Sequence, residues 1–171
     1  MVDAGGESPQ LIRGQGWRLS LEFLPTGRAE AAKLEAFLLS LRAGSGRFWM
    51  GDPYQSQPLG VASGSPVTSS AAIGSETLAV TGFAVSVTGQ LKANDKVQIG
   101  NHLYSVLADV DSDVSGNATV SLWPPLRDSY ADGTAIITEN ARGVFALTED
   151  LEFSRDRLEL YGTRLSAGEV R

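Results

Sequence analysis

Three aspartates, Asp109, Asp111 and Asp113, stand at alternate positions and run into Ser115-Gly116-Asn117, a mix of oxygen donors and glycine that invites comparison with calcium loops. The spacing argues against one. An EF-hand loop needs glycine at its sixth place and a bidentate glutamate at its twelfth, and counted from Asp109 those places hold Val114 and Val120. The segment reads instead as the polar side of a strand end, Asp109 and Asp111, followed by a hairpin turn from Asp113 to Asn117. His102, the only histidine, sits in Gly100-Asn101-His102-Leu103-Tyr104, where a tight turn enters a strand, and reads as a turn residue. Serines are plentiful, but no Gly-x-Ser-x-Gly elbow marks one as a nucleophile. Glu149 with Asp150 and Glu152 with Asp156 are carboxylate pairs of the kind that cleave glycosides when held ~5 to 10 Å apart. Adjacency in sequence does not supply that geometry, and charges beside a strand turn ordinarily form a solvated rim. The expectation is a protein that is not an enzyme, with no catalytic residues, no cofactor and no metal. The aromatics Trp49, Tyr54, Trp123 and Tyr130 have buried core as their default. Tyr54, Trp123, which precedes Pro124-Pro125, and Tyr130 are the candidates for outward contact with a sugar or a protein.

Composition narrows the classes further. The 171 residues suffice for one domain or two small ones, and the absence of cysteine removes disulfides, thiolate zinc, iron–sulfur clusters and a cysteine nucleophile. A formal charge of −6 argues against nucleic acid as a specific partner, because phosphate binding draws on clustered Lys and Arg. No stretch approaches the ~20 apolar residues of a membrane span, and Met1 to Gln10 has neither the basic start nor the apolar core of a signal peptide. Neither a membrane span nor export by that route is expected.

The elements that must position these residues follow from periodicity. Residues 1–16 read as an extended arm whose adjacent aliphatics, Leu11 and Ile12, are candidates for ordering against a neighbouring subunit. Trp17, Leu19, Leu21 and Phe23 alternate with polar residues as a half-buried strand does, and Pro25-Thr26-Gly27 ends it. A helix is expected over about 28–42: Leu34, Phe37, Leu38 and Leu41 form one apolar stripe, Thr26 or Gly27 is the N-cap, Glu30 lies near the positive end of the dipole, and Gly44 stands at the C-cap. Arg47 to Met50 is a short aromatic strand closed by Gly51-Asp52-Pro53; Arg47, Phe48 and Trp49 are candidate interface residues. Gln55 to Ser75, rich in Gly, Pro and Ser, reads as linker or irregular loop. Strands are then expected at 77–80, 85–88, 96–99, 103–110, 118–123 and 134–138, separated by glycine turns, and again at 144–147, 151–153 and 157–165. The fold class is mainly β: a sandwich or barrel outer domain from 17–54 plus 141–171 carrying the one helix, with a small β-barrel-like module inserted over 55–140.

Order and spacing across this frame resemble a known family. Trp17-x-Leu19, Arg28-Ala29-Glu30-Ala31-Ala32, Phe37-Leu38-Leu39-Ser40-Leu41-Arg42 and Gly46-Arg47-Phe48-Trp49-Met50-Gly51-Asp52-Pro53 are similar to the distal tail proteins of long-tailed bacteriophages. The similarity continues through Gly89-Gln90-Leu91-Lys92-Ala93-Asn94-Asp95-Lys96-Val97-Gln98-Ile99, with Asn94 where glycine is more usual. It extends through Leu107 to Thr119, Leu122-Trp123-Pro124-Pro125-Leu126-Arg127 and Ala141-Arg142-Gly143-Val144-Phe145. The resemblance implies a structural protein of the virion tail, assembled in the host cytoplasm into a ring, usually hexameric. Its partners would be further copies of itself, the tail-tube protein and the hub or baseplate, with the inserted module turned outward to side fibres or host-surface glycan. A carbohydrate- or receptor-binding module of the tail is the alternative, and a tail-associated cell-wall hydrolase is a third.

Overall fold

The computed structural model describes residues 16–42, 45–149, 152–155 and 161–170. The arm with Leu11 and Ile12, the expected cap at Gly44, and Asp150 and Asp156 lie outside the described residues. The fold is mainly β, with one helix among the described residues and two sheets.

The first sheet, a half-barrel, takes β1 (Arg18–Thr26), β2 (Phe48–Met50), β9 (Gly143–Leu147), β10 (Glu152–Arg155) and β11 (Tyr161–Glu169) in the order β1-β11-β9-β2, with β10 also on β11. Every pairing is antiparallel. Alternation in β1 is as expected: Leu19 and Leu21 stand opposite Ala167 and Leu165, while Arg18, Ser20 and Glu22 face outward. The helix α1 (Arg28–Ser40) packs on this apolar face, its seam centred on Leu38 with Ala31 and Leu41 buried. Its N-cap is Gly27, whose carbonyl accepts from Glu30 and Ala31. The helix is two residues shorter than expected at its exit. Leu41 and Arg42 close it with tighter bonds to Leu38 and Leu39, Arg42 takes a left-handed φ of 47°, and the Gly46 N–H reaches back to the Leu41 carbonyl at 2.8 Å. Phe37 also departs from the expected stripe, being 49% exposed; it meets Phe48 edge-on at 6.4 Å on the rim.

The second sheet, β3 (Gly64–Thr68), β4 (Thr77–Phe83), β7 (Ala118–Trp123), β6 (His102–Val106), β5 (Lys96–Ile99) and β8 (Ile136–Ile137) in spatial order, is a nearly closed six-stranded barrel. Closure comes from a Val67–Ala135 bridge, flanked by Thr68 N–H to Thr134 O and Gly133 N–H to Thr68 O. The interior alternates as the period of a strand demands: Leu78, Val80, Val97, Ile99, Tyr104, Val106, Val120 and Leu122 point inward and are almost wholly buried.

Two expectations need correction here. Residues 55–75 are irregular over most of their length, as expected of a loop, but they are no linker: they supply β3, and the stretch before it is tied to the barrel. Asp95 accepts from Leu59 N–H at 2.7 Å, Gly60 N–H at 3.1 Å and Lys92 N–H at 2.8 Å, and the Gln90 amide oxygen accepts from Ser63 N–H. A polar segment is thus ordered by side chains distant in sequence, which composition does not register. Residues 85–88 form turns rather than a strand; Ser86 has φ 54° and Val87 is held by the Ser112 hydroxyl. The expected strands at 103–110 and 134–138 are shorter than their apolar runs, ending at Val106 and Ile137.

Candidate functional site

Two features stand out: the free edges of the first sheet, and the seam where the barrel meets it. β2 pairs with β9 on one side, and β1 with β11 on one side; the outer rim of each has no strand partner among the described residues. Phe48 and Met50 turn inward, Phe48 lying 6.2 Å from the ring of Phe145, whereas Trp49 projects from the other face, 48% exposed. Arg47 donates to the carbonyls of Ser45 and Gly46 at the mouth of this strand. Unpaired N–H and C=O groups beside an exposed indole make β2 suited to main-chain pairing with another chain.

The seam explains why β5 and β6 are buried on both faces. Their inward residues fill the barrel; their outward residues meet the sheet. The Trp17 indole N–H donates to Leu103 O at 2.8 Å, and its ring stands edge-on to Trp123 at 4.9 Å. Lys96 places its ammonium over the Trp17 ring and bonds to the Asn94 and Ser105 side chains; burial lowers its pKa, opposed by Asp52 and Asp95. Gln98 accepts from Arg142 N–H, and Val144 N–H reaches Asn101 O.

At the centre of the seam Glu169, on the core face of β11 in line with Leu165 and Ala167, has a side chain with 0% exposure. Its Oε1 accepts from Leu103 N–H at 2.7 Å, Arg127 Nε stands 3.5 Å from Oε2, and His102 Nδ1 is 3.9 Å from Oε1. Burial raises the Glu169 pKa, against the Leu103 N–H, Arg127 and the Trp17 backbone N–H; burial and then Arg127 lower that of His102, against Asp128. Gly143 makes room for this arrangement, since a Cβ there would lie 2.7 Å from Glu169 Oε1 and 3.1 Å from Leu103 Cβ.

The residues singled out by sequence scatter over this frame. Asp109 pairs with Lys92 at 2.7 Å and accepts from Ala93 N–H, Asp111 accepts from Gly89 N–H, and Asp113 closes the expected turn through Ser115 and Asn117. His102 is the first residue of β6, as its turn context implies, but it is buried. Of the candidates for outward contact, Tyr54 is 96% exposed, whereas Trp123 and Tyr130 are half-buried. Trp123 packs on Trp17, and the Tyr130 hydroxyl bonds that of the buried Tyr104 at 2.8 Å; burial pushes both pKa values up. Glu149 is exposed beside Thr148. The residues missed by sequence reading are those of the seam: Trp17 as a donor, Lys96, Gln98, Arg127 and Glu169. No protein-family model matches the chain, and no curated protein matches it.

Proposed function

We propose that the chain is a non-enzymatic structural component of a bacteriophage tail tip, a distal tail protein that forms a ring between the tail tube and the hub. The ring, usually hexameric in the family it resembles, would be built by the domain of residues 17–54 plus 141–171, and the 55–140 module would face outward to support host attachment. The observation that carries this reading is the first sheet. It is assembled from the two flanks of the chain, and it leaves β1 and β2 as opposed edges, the arrangement a head-to-tail contact needs if rotation is to close it into a ring. The ordered residue matches from Trp17 to Phe145 support it from the sequence side.

Light scattering and negative-stain microscopy of the purified chain, with immunogold labelling of intact tails, test the proposal. Closed rings and label at the tail tip are the expected results. A chain that stays monomeric at high concentration and is missing from purified tails overturns it. A receptor- or glycan-binding role for the module has one observation in its favour, the exposed Tyr54 beside a groove of about 340 Å³ lined by Asp52, Ser56, Asn140 and Arg142. Glycan-array silence of the assembled protein would remove that second reading.

A further inference from the structure

We propose that Glu169 and His102, buried face to face across the joint between sheet and barrel, form an opposed pair, so that acidification relieves the joint at the one and strains it at the other. The proposal does not depend on the tail-tip reading. Glu169 belongs to the sheet and His102 to the barrel, and the two lie 3.9 Å apart across the seam with Arg127 alongside. Both are short of hydrogen bonds. Glu169 Oε1 has the Leu103 N–H, but Oε2 accepts none among the described residues, and neither does His102 Nδ1 have a partner there. At Glu169 burial outweighs the Leu103 N–H, Arg127 and the Trp17 backbone N–H, which favour the charge, and at His102 burial and Arg127 outweigh Asp128, so each group is more at ease neutral while the seam is shut and recovers full solvation when it opens.

The consequences have opposite signs. Glu169 has its pKa raised by burial, so its contribution to the closed seam is full below the ordinary carboxyl value and is lost as pH rises through its buried value. His102 has its pKa lowered, so its contribution is full above the ordinary imidazole value and is lost as pH falls. In mildly acidic solution one gain runs against the other loss. The other groups that face the pair are Arg127 and Asp128 from the segment after β7, and the hydroxyls of Tyr104 and Tyr130, pushed upward by burial. Lys96, on β5, is engaged with Trp17.

Amide hydrogen exchange in the full chain tests this. Leu103 and Val144 report the seam, and Leu122, bonded to Glu76 O within the barrel, is the internal reference. After correction for intrinsic exchange, E169Q should lose seam protection on acidification and H102Q should lose it as pH rises, each by up to ~10-fold per pH unit crossed. The unsubstituted chain should change less than either, with Leu122 constant throughout. Seam protection that is flat in either variant, or steeper in the unsubstituted chain than in both, overturns the proposal. Should a substitution prevent folding, NMR titration of the unsubstituted chain decides: a Glu169 midpoint above the ordinary carboxyl value and a His102 midpoint below the ordinary imidazole value are expected, and either on the other side is fatal.

Discussion

The barrel and the half-barrel sheet bury their apolar residues in different proportions. Among the described residues the barrel core holds fourteen buried members with three half-buried ones against it, whereas the sheet and helix hold six buried members with seven half-buried ones. Closure accounts for the contrast. The Val67–Ala135 bridge nearly closes the barrel around a common interior, while the sheet is covered by one helix and, among the described residues, leaves β1, β2 and β10 each paired on one side only. The nearly closed barrel has most of its backbone bonds satisfied within itself, whereas the curved open sheet is the part with bonds to offer.

Phe145 has 0% exposure and lies against Phe48 in the middle of the sheet. Phe145→Ala should cost about 3–5 kcal/mol. If the barrel is independently closed, exchange protection should fall at Leu147 and Ala167 while Leu122 and Val106 keep theirs. Loss of all four together would show that the two units unfold as one.

Gly143→Ala attacks the seam between them. The new Cβ would press on Glu169 Oε1 and the Leu103 side chain, and overpacking of this kind costs roughly 1–3 kcal/mol. Seam amides Leu103 and Val144 should exchange faster with the barrel interior unchanged, readable in the same spectra.

What the sequence disclosed follows the same division between local and distant. Alternation in Trp17 to Phe23 and Val144 to Leu147, the helix stripe around Leu38 and the glycine turns were legible because each signal repeats within a few residues. The β2 edge was legible too, since Pro53 limits how far the aromatic strand can extend. The seam was not. Glu169 meets Leu103 across 66 residues and Trp17 meets it across 86, and no local period encodes either contact. The final strand was expected to stop at Leu165, yet continuing its alternation through Ala167 would have put Glu169 on the buried face, an apparent misfit that was the available signal. The segment before β3 failed for the related reason that Asp95, more than thirty residues away, satisfies its amides.

A smaller effect is expected inside the barrel. The Tyr104 hydroxyl bonds Tyr130 at 2.8 Å and accepts from Arg127 N–H at 3.1 Å. Tyr104→Phe keeps the ring volume and should cost about 1 kcal/mol, the order of a net hydrogen bond, lowering the barrel's melting transition without touching the sheet's.

The smallest effect on stability should accompany the largest on assembly. Trp49 projects from β2 away from the core, so Trp49→Glu removes little packing, and surface substitutions of this sort ordinarily stay within about 0.5 kcal/mol. The new carboxylate would nevertheless sit on the rim where β2 offers its unpaired backbone groups, and charge on an edge strand is an established obstacle to pairing with another chain. If the open sheet is the assembling part, this variant should melt like the parent and fail to form rings by light scattering. If rings persist, the contact runs through other residues, and the contrast between a nearly closed barrel and a sheet completed by its neighbours would have to be drawn at the β1 rim instead.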